Sequence, residues 1–168
     1  MDKGITTGYK DASGNLSGFF GPNDKCTREQ IVTFLWRMMG SPAPKTRANF
    51  LDVKSGYYVD AVSWALENGI TTGISSDKFG VGDDCSRAMC VTFLYRAAGT
   101  PEVTSGSIFT DVPDGKWFSK AVTWAAEKEI TTGYKDSAGN PTGIFGLNDP
   151  CKRGEIVTFL YRFAHLNQ

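Results

Sequence analysis

The stretch "CTREQIVTFLWR", Cys26–Arg37, decides the fold, because the chain states it three times. It returns as "CSRAMCVTFLYR" from Cys85 and as "CKRGEIVTFLYR" from Cys151. In the first copy Thr27 can cap a helix and Gln30 can close a capping box. Ile31, Leu35, Met38 and Met39 then fall on one helical face. Gly40, followed by Ser41-Pro42, stops the helix. In the second copy Ser86 is the cap and Gly99 the stop, with Pro101 beyond.

Two further phrases accompany the first. "GITTGYKDASGN" from Gly4, "GITTGISSDKFG" from Gly69 and "EITTGYKDSAGN" from Glu129 form one set. "FLDVKSGYYVDAVSWALENG" from Phe50 and "FTDVPDGKWFSKAVTWAAEK" from Phe109 form the other, which occurs twice. The A-V-x-W-A pieces read as helices, and Gly73 with its equivalents marks a turn. Ile5 to Cys26 and Ile130 to Cys151 are both 21 residues, whereas Ile70 to Cys85 is 15. A loop that tolerates six missing residues lies on the surface of a repeated scaffold. Each unit is therefore helix, long loop, helix. The chain reads as one domain over 1–168: unit 1, with only its second half, at 1–40, unit 2 at 50–99 and unit 3 at 109–168. The missing half of unit 1 leaves an apolar face for an upstream helix or a protein partner to complete.

Stacking three units buries faces that one unit could not. Phe34, Phe93 and Phe159 with Leu35, Leu94 and Leu160 are the expected shared core. Trp64 and Trp124 join it, since large aromatics dominate core burial. Hydrophobic residues make up 40% of the chain, which supports a packed core, and the formal net charge is zero. That balance argues against nucleic acid as a partner, and no apolar run is long enough for membrane insertion. Cys26, Cys85 and Cys151 share one repeat position, and Cys90 stands where Ile31 and Ile156 stand. Buried, reduced thiols are the simplest reading, with disulfides and a three-cysteine metal site as lesser alternatives.

Arginines recur nine residues apart as Arg28/Arg37, Arg87/Arg96 and Arg153/Arg162. Each pair points to opposite sides of its helix and cannot serve one site there. For Arg37, Arg96 and Arg162, salt links to Asp52 and Asp111 are one expectation. Arg28, Arg87 and Arg153 occupy a first turn, where the helix dipole disfavours a cation. Glu29 or Glu155 could compensate, and so could a bound anion held by guanidinium and free N–H groups. The second copy has Met89 where the third has Glu155. No nucleophile elbow or metal-ligand cluster occurs, and Asp52 and Asp111 read as caps, so no enzyme activity, cofactor or metal is expected. Asp11, Ser13 and Asn15 have part of a calcium-loop spacing, but Pro22 stands where such a loop needs Glu. A hydrogen-bonded turn is the better reading. His165 ends the last helix, as a cation suited to its dipole.

The repeats resemble the S-layer homology domain. The resemblance rests on "FTDVPDGKWFSKAVTWAAEKEITTGY", "FGPNDKCTREQ", "CSRAM" and "CKRGE", and it covers nearly the whole chain. It implies a mainly α fold, a pseudo-threefold bundle of helix–loop–helix repeats with long surface loops and little or no sheet. It also implies a non-catalytic carbohydrate-binding module that anchors a secreted protein at the bacterial cell surface. Its partner would be secondary cell-wall polysaccharide carrying an acidic, often pyruvylated sugar in the grooves between repeats. The acid-binding role falls on Arg28, Arg87 and Arg153, flanked by Glu29 and Glu155, with Tyr57 and Trp117 as groove walls. The alternative is a degenerate copy kept as a structural or protein-interaction scaffold.

Overall fold

The computed structural model describes residues 4–166. Five helices lie among the described residues: α1 (Arg28–Met38), α2 (Val59–Glu67), α3 (Arg87–Ala97), α4 (Ser119–Glu127) and α5 (Arg153–Ala164). The described residues hold only isolated β-bridges and no sheet. The repeated T-F-L phrase is α1, α3 and α5, and the A-V-x-W-A phrase is α2 and α4. The predicted mainly helical fold is the observed one.

The helix ends follow the sequence signals. In α1 the Gln30 side chain accepts a hydrogen bond from the Thr27 N–H at 3.2 Å, the returning half of a capping box. Thr27 Oγ1 itself is buried without a partner. Ser86 Oγ caps α3 by accepting from the Met89 N–H. At the other end, Ser41 and Thr100 adopt left-handed φ values of 54° and 53°. Their N–H groups return to the carbonyls of Trp36 and Tyr95, which closes each helix with a Schellman-type turn.

The I-T-T-G phrase is also explained by a turn. In each copy the first Thr hydroxyl accepts from the Gly N–H two residues on: Thr6 to Gly8, Thr71 to Gly73, and Thr131 to Gly133. Gly73 has φ +81°, and a Cβ there would stand 2.4 Å from the Lys78 carbonyl oxygen. Only glycine meets both demands.

Three backbone bonds join the repeats in a ring. The N–H of Cys26 donates to the carbonyl of Cys151, Cys151 to Cys85, and Cys85 to Cys26, at 2.8–2.9 Å. Around this ring the first-turn backbone of each helix donates to the preceding loop of another repeat: Arg28 to Asp83, Arg87 to Asp149 and Arg153 to Asp24. The three cysteines of the ring are fully buried. All four thiols are free and buried, and the described residues gather no set of three His, Cys, Asp or Glu fit to hold a metal.

The core is continuous across the repeats. Phe34, Phe93, Phe159, Leu35, Leu94 and Leu160 are buried, as are Trp64 and Trp124. Tyr95 and Phe163 pack their rings on Trp124. α2 packs on α1, and α4 on α3. α5 has no such companion among the described residues. The consequence is visible at equivalent positions: Thr33 and Thr92 are buried but Thr158 is exposed, and Tyr161 is 66% exposed.

Two measurements test this description. Glu129 holds the position of Gly69 with a left-handed φ of 55°. Glu129→Gly removes that strain and should raise stability by about 0.5–1 kcal/mol in urea unfolding. The thiols give a pH dependence. Burial, then the Cys151 thiol beside it, pushes Cys26 up to about 12. An unfolded thiol ionises near ~8.5, so above that pH the unfolded chain releases a proton that the folded chain keeps. Stability should be flat below about pH 8 and then fall, by about 1.4 kcal/mol per pH unit for Cys26 alone. Thermal melts under reducing conditions should show this slope, shallower in Cys26→Ala.

Candidate functional site

The first-turn arginines lie inside the protein rather than on its surface. Arg28, Arg87 and Arg153 are 4%, 2% and 3% exposed. Each reaches from its own helix into another repeat, where Nε donates to a carbonyl: Arg28 to Phe79, Arg87 to Phe145 and Arg153 to Phe20, at 2.7–2.9 Å. The three contacts close a circle, first repeat to second, second to third, third to first. Aromatic faces back each guanidinium. Arg28 lies 4.9 Å from the Phe79 ring and 5.4 Å from Phe93. Arg87 lies on Tyr134, Phe145 and Phe159, and Arg153 on Tyr9, Phe20 and Phe34. A desolvated cation–π contact is worth about 2 kcal/mol. The penalty of a first-turn cation is thus met chiefly by carbonyls and rings.

Acid compensation is uneven. Arg87 Nη1 is ion-paired with Glu155 Oε1. Arg28 and Arg153 make no ion pair among the described residues. Arg28 Nη1 instead approaches Met89 Sδ at 3.3 Å. Burial pushes the Arg28 guanidinium below its usual value, while Cys85, Asp83, Asp52 and Glu29 act against the shift from a distance. The group remains charged at neutral pH.

Glu29 is buried, and its carboxylate accepts from the Gly82 N–H of the second repeat at 3.0 Å. It braces two repeats and does not pair with Arg28. Glu155 also accepts from the Lys152 N–H at the start of α5. The salt links expected between Arg37, Arg96 or Arg162 and the F-x-D-V aspartates do not form. These arginines donate to the carbonyls of Ile5, Ile70 and Ile130, at the head of each repeat's own I-T-T-G turn. The aspartates are too far committed elsewhere. Asp52 accepts from the N–H groups of Phe79, Gly80 and Val81, and Asp111 from those of Phe145 and Gly146. They are loop caps. Burial would raise the Asp52 pKa, but the bonds from Val81, Phe79 and Gly80 outweigh it and hold the carboxyl below its ordinary value.

Two grooves run between repeats beside the arginines. One, of about 420 Å³, has Arg28 in its floor and Arg96 and Thr71–Gly73 along its side, with Trp117 of the third repeat as a wall. The other, of about 560 Å³, has Arg87, Arg162, Glu155 and Thr131–Gly133. Lys135 and Lys152 line it as well, and no tryptophan does. Trp117 is 58% exposed and Tyr57 55%. Tyr57 is set beside Glu29 and Gln30 of α1. Arg28, Met89 and Trp117 therefore converge, as do Arg87 and Glu155. The calcium-like spacing is a turn, with Asp11 accepting from the N–H groups of Ser13 and Asn15.

Arg96 and Arg162 are the groove residues that sequence reasoning missed. The nine-residue spacing excludes two arginines of one helix from one site, and correctly so. It leaves open that a first-turn arginine and the last-turn arginine of the next repeat share a groove, as Arg28 and Arg96 do. The signal was the strict recurrence of both arginines with one spacing.

The S-layer homology domain model matches residues 49–88 and 108–157, more than half of the chain. The chain belongs to the S-layer homology domain family. It is 29% identical over 119 residues to a "Cell surface protein" of Thermoanaerobacter kivui, covering 67% of this chain and 15% of that protein. It is 27% identical over 164 residues to the "Surface-layer 125 kDa protein" of Lysinibacillus sphaericus, covering 96% of this chain and 13% of that protein. The chain thus spans less than a sixth of the length of these relatives. S-layer homology domains are non-catalytic and bind cell-wall polysaccharide. Together the matches place this chain at the cell surface as a wall-anchoring module. No helix among the described residues is long and apolar enough to cross a membrane.

The groove floor makes its own prediction. Asp52→Ala frees three N–H groups beside the carbonyl that holds Arg28, and should destabilise by about 2–3 kcal/mol in urea unfolding. The carboxyl is held below its unfolded value, so its contribution is full above about pH 4 and declines as pH falls through the folded value. The difference between wild type and Asp52→Ala should shrink accordingly toward acid pH.

Proposed function

We propose that this domain holds an acidic sugar of secondary cell-wall polysaccharide non-covalently in the grooves between its repeats, with a pyruvyl ketal as the best-fitting acid. The repeats at 1–40, 50–99 and 109–168 act together as one binding unit over 1–168. Arg28, Arg87 and Arg153 supply the positive floor, and Tyr57 and Trp117 cover the apolar face of a sugar ring. Glu29 and Glu155 shape the grooves by fixing a loop and a guanidinium.

One observation carries this reading. Arg28 is buried against two phenylalanine rings, makes no ion pair among the described residues, and lines a groove walled by an exposed tryptophan. A carboxylate entering there meets a desolvated cation with N–H groups to spare, and each charge-assisted bond is worth about 1.5–3 kcal/mol. Several such sites on a lattice of molecules would add through avidity. A second reading has one observation of its own. The bare flank of α5, with Thr158 and Tyr161 exposed, suits an additional helix or a protein partner, and so a scaffold role.

Sedimentation of the domain with purified wall polysaccharide tests the first reading. Wild type should co-sediment, and the Arg28→Ala, Arg87→Ala, Arg153→Ala triple variant should not. Replacement by Lys should weaken retention without abolishing it, because charge persists while the guanidinium fork is lost. Undiminished retention of a folded triple Ala variant would refute the proposal. Light scattering tests the second: a monomer that binds no apolar dye would count against an open face.

A further inference from the structure

The grooves over Arg28 and Arg87 share one plan, and the contact made by Nη1 sets them apart. In each, a buried guanidinium points Nη1 at the third residue of the next repeat's helix. For Arg87 that residue is Glu155, which pairs with it; for Arg28 it is Met89, whose sulfur lies 3.3 Å away. A thioether is a weak acceptor and carries no charge. The aromatic cover differs in the same sense. Tyr134 lies over Arg87 at 4.5 Å, and Tyr9 over Arg153 at 4.4 Å. Each tyrosine is fastened by donating to an aspartate, Tyr134 to Asp149 and Tyr9 to Asp24. The second repeat has Ile74 at this place, and among the described residues the rings on Arg28 are the phenylalanines Phe79 and Phe93. In the third repeat's groove, Lys135 and Lys152 add charge, but as hydrated ammonium groups without a planar fork. Arg96 joins Arg28 without an acid in the lining.

From this we infer that the third helical residue facing each buried arginine selects the groove's ligand, so that the Arg28–Arg96 groove reads the carboxylate and the Arg87 groove, occupied by its own Glu155, does not. The inference rests on the anchoring role proposed above and adds which groove carries the acid and which residue decides it. Met89 keeps the Arg28 site open; Glu155 answers Arg87 from within, and its carboxylate suits the hydroxyls of a neutral sugar in the same polymer.

Isothermal titration calorimetry with a methyl hexoside carrying a pyruvyl ketal, and with its ketal-free parent, tests this. Wild type should prefer the ketal. Met89→Glu and Arg28→Ala should each weaken ketal binding roughly 10- to 100-fold, the loss of one charge-assisted bond. Met89→Gln, matched in size to Glu and uncharged, should bind the ketal about tenfold or more tighter than Met89→Glu, and Arg87→Ala should lose less than Arg28→Ala. The Glu/Gln comparison does not depend on whether Arg28→Ala folds, and circular dichroism melts report the folding of each variant. Glu155→Gln should add a ketal site. Equal losses from Arg87→Ala and Arg28→Ala, equal binding by Met89→Glu and Met89→Gln, or no added site in Glu155→Gln would each overturn the inference while leaving the anchoring role in place. Equal affinity of the wild type for the ketal and its parent would overturn the anchoring role's acidic-sugar reading, and this inference with it.

Discussion

A positive charge passed inward from one repeat to the next organises this molecule. Each first-turn arginine leaves its own helix and ends on a carbonyl and two or three aromatic rings of a neighbour. An isolated ion in a protein interior is expensive, and a lone carbonyl would not hold it there. For Arg28 and Arg87, the rings and the loop fold around the guanidinium because the F-x-D-V aspartates fix the same loops through their N–H groups. Arginine, aspartate and phenylalanine in three separate phrases are therefore parts of one joint. That is why those phrases persist while the text between them drifts.

The drift itself is informative. The middle loop is six residues shorter than its counterparts, and with it went the tyrosine that covers the guanidinium elsewhere. The same repeat replaced an acid or amide by Met89. Neither change touches the carbonyl, the aspartate cap or the threonine turn, so the scaffold tolerates both. Changes of this kind alter what the groove offers to a ligand while leaving the fold as it was.

Much of the architecture was legible because it is written in local terms. Capping residues and glycine stops located α1 and α3, the repeated phrase then placed α5, and the turn at Gly73 follows from a hydroxyl and a glycine two residues apart. The site was legible only in part. Arg28, Arg87 and Arg153 stood out because a cation is unfavourable at a helix start. Their near-complete burial did not, since it depends on loops from another repeat. The roles of Arg37, Arg96 and Arg162 were misread for the same reason. A carbonyl acceptor carries no side-chain signature, whereas an aspartate does, and the visible partner was chosen over the real one. Glu29 looked like a counter-ion to its neighbour in sequence but serves a backbone N–H of another repeat.

The three-cysteine ring has a meaning for how the chain acquires its shape. Two of its bonds close spans of roughly 60 residues, and the third returns over roughly 125, a slow closure for a polymer. No pair of repeats can complete the circle: with one absent, a donor and an acceptor are left facing nothing at the centre of the molecule. Order should therefore arrive late and at once when the last helix is made. A wall-anchoring module gains from a centre that opens only as a whole.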